Sequence, residues 1–95
     1  MLFFVKVRVD INKLGELGQK LQIGAFLSHP ISTYCLQDDP SVGLNIWEAE
    51  DWDAFERAFA PQREYYSEVL EIMPVMTAQE AQRLLMAQIT STAHG

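Results

Sequence analysis

The sequence predicts an α+β fold, with strands and helices in the order β-α-β-β-α-β and a further helix at the C-terminal end. Three observations carry this expectation. Phe3, Val5, Val7 and Val9 alternate with Phe4, Lys6 and Arg8, the period-two signature of a strand with two unlike faces. Two extended runs, residues 31–37 and 42–48, flank Asp38-Asp39-Pro40-Ser41, whose Asx side chains and proline favour a turn, so the pair reads as a hairpin. Two apolar stripes at helical spacing fall between the strands: Leu14, Leu17 and Leu21, then Trp52, Phe55, Ala58 and Phe59.

The elements follow in order. The first strand gives way at Asp10-Ile11-Asn12 to a helix that Gly15 and Gly18 each weaken by about 1 kcal/mol relative to alanine, so packing must hold it. Gly24 is its natural stop. Pro30 opens the second strand, rich in β-branched and aromatic residues. Asp51 or Asp53 caps the second helix, Asp53 having Glu56 at capping-box spacing. Pro61 is expected to end or break that helix. Residues 68–76 read as a fourth strand, and Pro74 implies an edge position or a bend. Thr77 and Glu80 repeat the capping pattern ahead of Ala81, Leu84, Leu85 and Ile89, and the tail over residues 90–95 is expected to fray.

This is the split βαβ, ferredoxin-like arrangement: one domain over residues 1–95, with a four-stranded antiparallel sheet. Two helices cover one sheet face. The other is expected to carry Leu2, Phe4, Trp47 and Tyr34, too apolar to stay wet, so a homodimer through the open sheet face is expected.

Composition narrows the function classes. The chain has 95 residues, is 48% hydrophobic and carries a net charge of −6, with 7 cations against 13 carboxylates, which argues against nucleic acid as a partner. Seven of those carboxylates, and no Lys or Arg, fall between Asp38 and Glu56, a pattern that speaks of solubility. One cysteine, Cys35, builds no internal disulfide framework and fits a reducing compartment. Lys6 and Arg8 interrupt the apolar N-terminus after five residues, the wrong order for a secretory signal, and no run is apolar enough to span a bilayer. The expected location is cytoplasmic, away from membranes.

The segment Trp47-Glu48-Ala49-Glu50-Asp51 leading into a helix, followed by Met73-Pro74-Val75-Met76-Thr77-Ala78-Gln79-Glu80-Ala81, resembles the dimeric α+β barrel superfamily, within it a small bacterial domain family of unknown function. Met1-Leu2-Phe3 and the overall length are similar, more distantly, to muconolactone isomerase. The resemblance covers residues 1 to about 85 as pattern and order, and transfers no catalytic residue. It implies a barrel formed across two subunits, with pockets between sheet and helices.

Candidate chemistry is sparse. Lys6 and Arg8 share a strand face and would attract a carboxylate or enolate, Arg8 bidentately; the same pair equally fits a solvated, salt-bridged sheet edge. His29, in a loop before Pro30, is of the residue type suited to acid–base work and is a weak catalytic candidate beside Glu71; a lone loop histidine is more often plain surface. Tyr34, Asn45 and Trp47 complete a ligand-binding set with Lys6 and Arg8, though aromatic walls serve a dimer interface as well as a pocket. Tyr65 and Tyr66 share that ambiguity. Cys35 reads as a small buried hydrophobe on a central strand. Glu48, Glu50, Asp51, Asp53 and Glu56 lack calcium-loop spacing and read as helix-start carboxylates, so neither metal nor cofactor is expected.

Three functional readings follow: a dimeric protein binding a small apolar or aromatic metabolite by the sheet, a cofactor-independent isomerase or monooxygenase of small aromatic or lactone substrates, and a structural dimerisation module. The first is favoured. Whether the chain is an enzyme is left open.

Overall fold

The computed structural model describes residues 1–94, with side chains described for residues 1–90. The expected loose tail over residues 90–95, His94 included, falls almost wholly outside the described side chains. The strands are β1 (Leu2–Val9), β2 (Ser32–Cys35), β3 (Val42–Glu48) and β4 (Tyr66–Val75). The helices are α1 (Leu14–Gln22), α2 (Trp52–Arg63) and α3 (Ala78–His94), and a 3-10 turn at Ile11–Lys13 leads into α1. All pairings are antiparallel, in the spatial order β2-β3-β1-β4. This is the ferredoxin-like arrangement read from the sequence.

Strand register decides which side chains meet. Phe3 lies opposite Trp47, Val5 opposite Asn45 and Val7 opposite Gly43, so these six share the helix-covered face. On β4, Val69 faces Val7 and Ile72 faces Val5, but they are three residues apart, an odd spacing that a regular strand would send to opposite sides. Register shifts between Lys6 and Val7 and again between Arg8 and Val9 absorb the difference. Tyr66, Val69 and Ile72 are thereby all aimed inward. The bulges make the wall.

The core is aromatic. Phe55 of α2 stacks on Phe3 at 4.6 Å between centroids and on Phe59 at 5.5 Å, and Phe59 stacks on Tyr66 at 5.9 Å. Trp47 stands edge-on to Phe59 and Phe55, 5.7 and 6.1 Å away. Edge-to-face and offset pairs like these add about 0.5–1.5 kcal/mol each beyond area burial. A smaller cluster joins Leu17 of α1 to Phe26 and Tyr65, with Val9 of β1 packed against it.

Three expectations need correction. Trp47 is only 1% exposed and lies under α2, not on the open face, because its register partner Phe3 is a core residue. Cys35 is exposed, because β2 is a four-residue edge strand with a neighbour on one side only. Pro61 does not end α2, which runs on to Arg63. A proline there removes one backbone donor near the helix end. The last turn is secured instead by Gln62, whose Nε2 donates to the Ser28 carbonyl at 3.1 Å and whose own carbonyl accepts from Tyr65 N–H at 3.0 Å.

Other signals appear as read. Gly24 adopts φ +68°, the left-handed conformation that closes a helix at little cost for glycine. Pro74 sits on β4, an edge strand. Of the two capping candidates, Asp51 is the cap: its Oδ1 accepts from Ala54 N–H at 2.8 Å. Asp51→Ala is therefore expected to destabilise the fold by about 1 kcal/mol, read as a lower urea midpoint with unchanged slope, whereas Asp53→Ala should cost less.

Candidate functional site

A cavity of about 220 Å³ lies between α1 and the β1–β3 part of the sheet, on the helix-covered face. Its apolar wall is built by Val7 and Val9 of β1 with Leu14, Leu17 and Leu21 of α1, of which Leu17 is buried while Leu14 and Leu21 stand half exposed at its rim. Gly43 supplies its floor; with no side chain, it leaves the space open where β3 passes beneath α1. Thr33, Cys35 and Ser41 bring short polar groups from the β2 and hairpin side.

The opposite wall is polar but uncharged. Asn45 and Gln62 both line the cavity at 3% exposure, and Tyr66 lies beside them. The Tyr66 hydroxyl donates to Gln62 Oε1 at 3.4 Å, a long bond, and Gln62 is anchored in turn on Ser28. Burial pushes the Tyr66 phenol above its ordinary pKa, the bond with Asn45 opposing this in part. Tyr66 therefore stays protonated, a neutral donor. Two amides and a phenol can each give and accept hydrogen bonds, and none carries charge.

The sequence-predicted site residues are divided between the two faces. Of the ligand-binding set Lys6, Arg8, Tyr34, Asn45 and Trp47, Asn45 alone lines the cavity. Trp47 shares its sheet face but is packed in the aromatic core, and its Nε1 has no hydrogen-bond partner among the described residues. Lys6, Arg8 and Tyr34 lie on the open face, Tyr34 being 70% exposed. Glu71 is there too, opposite Lys6, while His29 is exposed in the loop before β2. The expected convergence of cations, aromatics and a base on one pocket does not occur. Register is the reason: Lys6 and Arg8 have the wrong parity to meet Asn45 and Trp47.

Arg8 has a structural post. Its Nη1 donates to Asp39 Oδ2 at 2.7 Å and to Ser41 Oγ at 3.1 Å, and its Nε to Glu68 Oε1 at 3.1 Å, tying the hairpin turn to β4 across β1. Hydrogen bonds from Ser41 first, then from Arg8, hold the Asp39 carboxyl below its usual range. A carboxyl pKa lowered by folding gives stability that is present above the unfolded value, near pH 4, and is lost as pH falls through the folded one. Asp39→Asn should thus lower Tm at pH 7, with the gap to the parent closing as pH drops below about 4 in a thermal-melt series. A gap that persists at low pH would contradict this.

Gly43 and Gln62 escape a reading of the sequence, yet each leaves a trace there, whereas Tyr66, which the sequence offers as pocket or interface, lies in the cavity wall. An isolated glycine inside a strand marks a bulge or a close backbone approach. Gln62 continues the α2 stripe of Phe55 and Phe59 at the position where an apolar residue would be expected. Among the described residues, no group of three or more His, Cys, Asp or Glu side chains converges as metal ligands, and no helix is long and apolar enough to cross a membrane. No protein-family model, no curated protein and no solved structure matches the chain.

Proposed function

We propose that this protein binds a small, neutral, mostly apolar molecule, aromatic in the first instance, in the cavity beneath α1, and that it does so as a homodimer packed through its open sheet face. The cavity carries the reading. An apolar engineered cavity of about 150 Å³ holds benzene, so about 220 Å³ suits a fused ring pair or a substituted single ring. Apolar walls with a few convergent polar groups are the ordinary composition of small-molecule sites. Asn45, Gln62 and Tyr66 select for one hydroxyl or carbonyl on the ligand.

The isomerase reading asks for a base and a cation within reach of one ligand atom. His29, Glu71, Lys6 and Arg8 do not line the cavity, and the residues that do are uncharged, so binding is the better supported of the two. A purely structural module has no need of an open cavity behind a neutral polar wall. The homodimer reading rests on the other face, where Leu2, Phe4, Leu44, Ile46 and Met73 lie together and no described helix covers them. Lys6 and Arg8 offset most of the charge of Asp39, Glu68 and Glu71 at one end of that face, although the chain carries −6, so repulsion between two copies is reduced there.

The discriminating pair is 1-naphthol and 1-naphthoate, alike in size and opposite in charge. 1-Naphthol should raise Tm in a concentration-dependent way, and calorimetry should find 1-naphthoate at least about 10-fold weaker, because no cation in the cavity offsets carboxylate desolvation. Preference for the naphthoate would overturn the neutral-ligand reading.

A further inference from the structure

α3 departs from the rest of the molecule in one respect: it is a 17-residue helix whose described side chains are all exposed except that of Ala81, which is half-buried. Leu84, Leu85, Met86 and Ile89 stand between 45% and 62% exposed, and neither hydrophobic cluster of the body contains an α3 residue. Thr77 Oγ1 caps its start, accepting from Glu80 N–H at 3.1 Å, so the helix is begun in a defined way. Yet an isolated helix of this length is marginal in water, and most helical stability comes from packing an apolar stripe. Among the described residues, nothing covers the stripe.

Surface area says how much cover is missing. The chain exposes 6922 Å², whereas a compact monomer of 10.8 kDa should expose roughly 5,500 Å². Its radius of gyration is 16.9 Å against about 12 Å for a compact domain of this length, and its longest dimension is 58 Å. A stable protein–protein interface removes about 800 Å² per partner. The excess over a compact monomer, roughly 1,400 Å², is more than one such share, and α3, about 25 Å long with its apolar stripe exposed, carries part of it.

We propose that α3 is an exchange arm: in the homodimer it lies against the second copy, not against its own body. This rests on the open-sheet homodimer proposed above and adds to it a second element of the interface. Leu84, Leu85, Met86 and Ile89 are then contact residues between copies, and the apparent excess of apolar surface on one chain is half of a reciprocal pair.

Sedimentation equilibrium on the full chain tests it, with the parent, a Leu85→Glu/Ile89→Glu variant of the arm and a Phe4→Glu variant of the sheet. The parent should be dimeric at about 100 μM, and the arm variant should weaken the dimer at least about 30-fold, the loss expected of interface anchors, with the near-UV signal of the aromatic core unchanged. Phe4→Glu should be monomeric, and in it the α3 amides should lose hydrogen-exchange protection that they have in the parent. A dimeric parent whose dissociation constant the arm variant leaves unchanged overturns the arm and spares the sheet interface. A parent that is monomeric at that concentration overturns both.

Discussion

Phe55→Ala is expected to remove about 3–5 kcal/mol of folding stability, the range for a phenylalanine truncated inside a packed core. Phe55 is fully buried and touches aromatic rings on every side, stacking on Phe3 and Phe59 and meeting Trp47 and Trp52 edge-on. Its loss empties the centre of the layer between α2 and the sheet, and the neighbouring rings are too rigid to fill the space. Domains of this size hold only about 5–15 kcal/mol in total, so the variant should be partly unfolded at 37 °C. Urea denaturation followed by tryptophan fluorescence measures the loss. A loss under about 1 kcal/mol would mean that the aromatic column is not the core.

The second large effect concerns the cavity and should leave the fold intact. Gly43→Leu is expected to weaken 1-naphthol binding by more than about 30-fold, because the new side chain would occupy the ligand's space. The position accepts a Cβ: it would meet Val7 Cγ2 at 3.5 Å and the Tyr34 carbonyl oxygen at 4.0 Å, both ordinary contacts. Gly43 does not need a positive φ, the only such glycine among the described residues being Gly24. Replacing glycine inside a strand also removes backbone entropy from the unfolded chain, so stability should hold or rise by up to about 1 kcal/mol. Lost binding with stability held places the ligand over β3. Unchanged affinity would place it elsewhere.

The contrast between these two variants mirrors what the sequence makes legible. Alternation on Phe3, Val5 and Val7 and the stripe on Phe55 and Phe59 survive any small error of boundary, because each is a run of strong apolar residues with a single periodicity. The core and the order of elements were readable for that reason. The face of Trp47 was not. β3 carries apolar side chains at both parities, with Val42, Leu44 and Ile46 on one and Trp47 on the other, so period two alone does not choose between them. Pairing with Phe3 chooses. Cys35 depends on strand order, a long-range property, and Pro61 on a side-chain anchor, Gln62 to Ser28, supplied by a segment 34 positions away.

The cavity escaped for a related reason. It is framed by residues from α1, all four strands and α2, each unremarkable in its own neighbourhood, and its floor is an absence, the missing side chain of Gly43. The charged candidates drew attention because charge on a strand is conspicuous. Arg8 proves to bind Asp39, Ser41 and Glu68 within its own chain.

An amide NMR titration of the full chain with 1-naphthol decides whether the cavity beneath α1 is the ligand site. Saturable shifts are expected at Val7, Leu17, Gly43, Asn45 and Tyr66, and are expected to disappear in Gly43→Leu. Shifts confined to Leu2, Phe4, Leu44 and Ile46 on the open sheet face, or no saturable shift at all, would contradict that assignment.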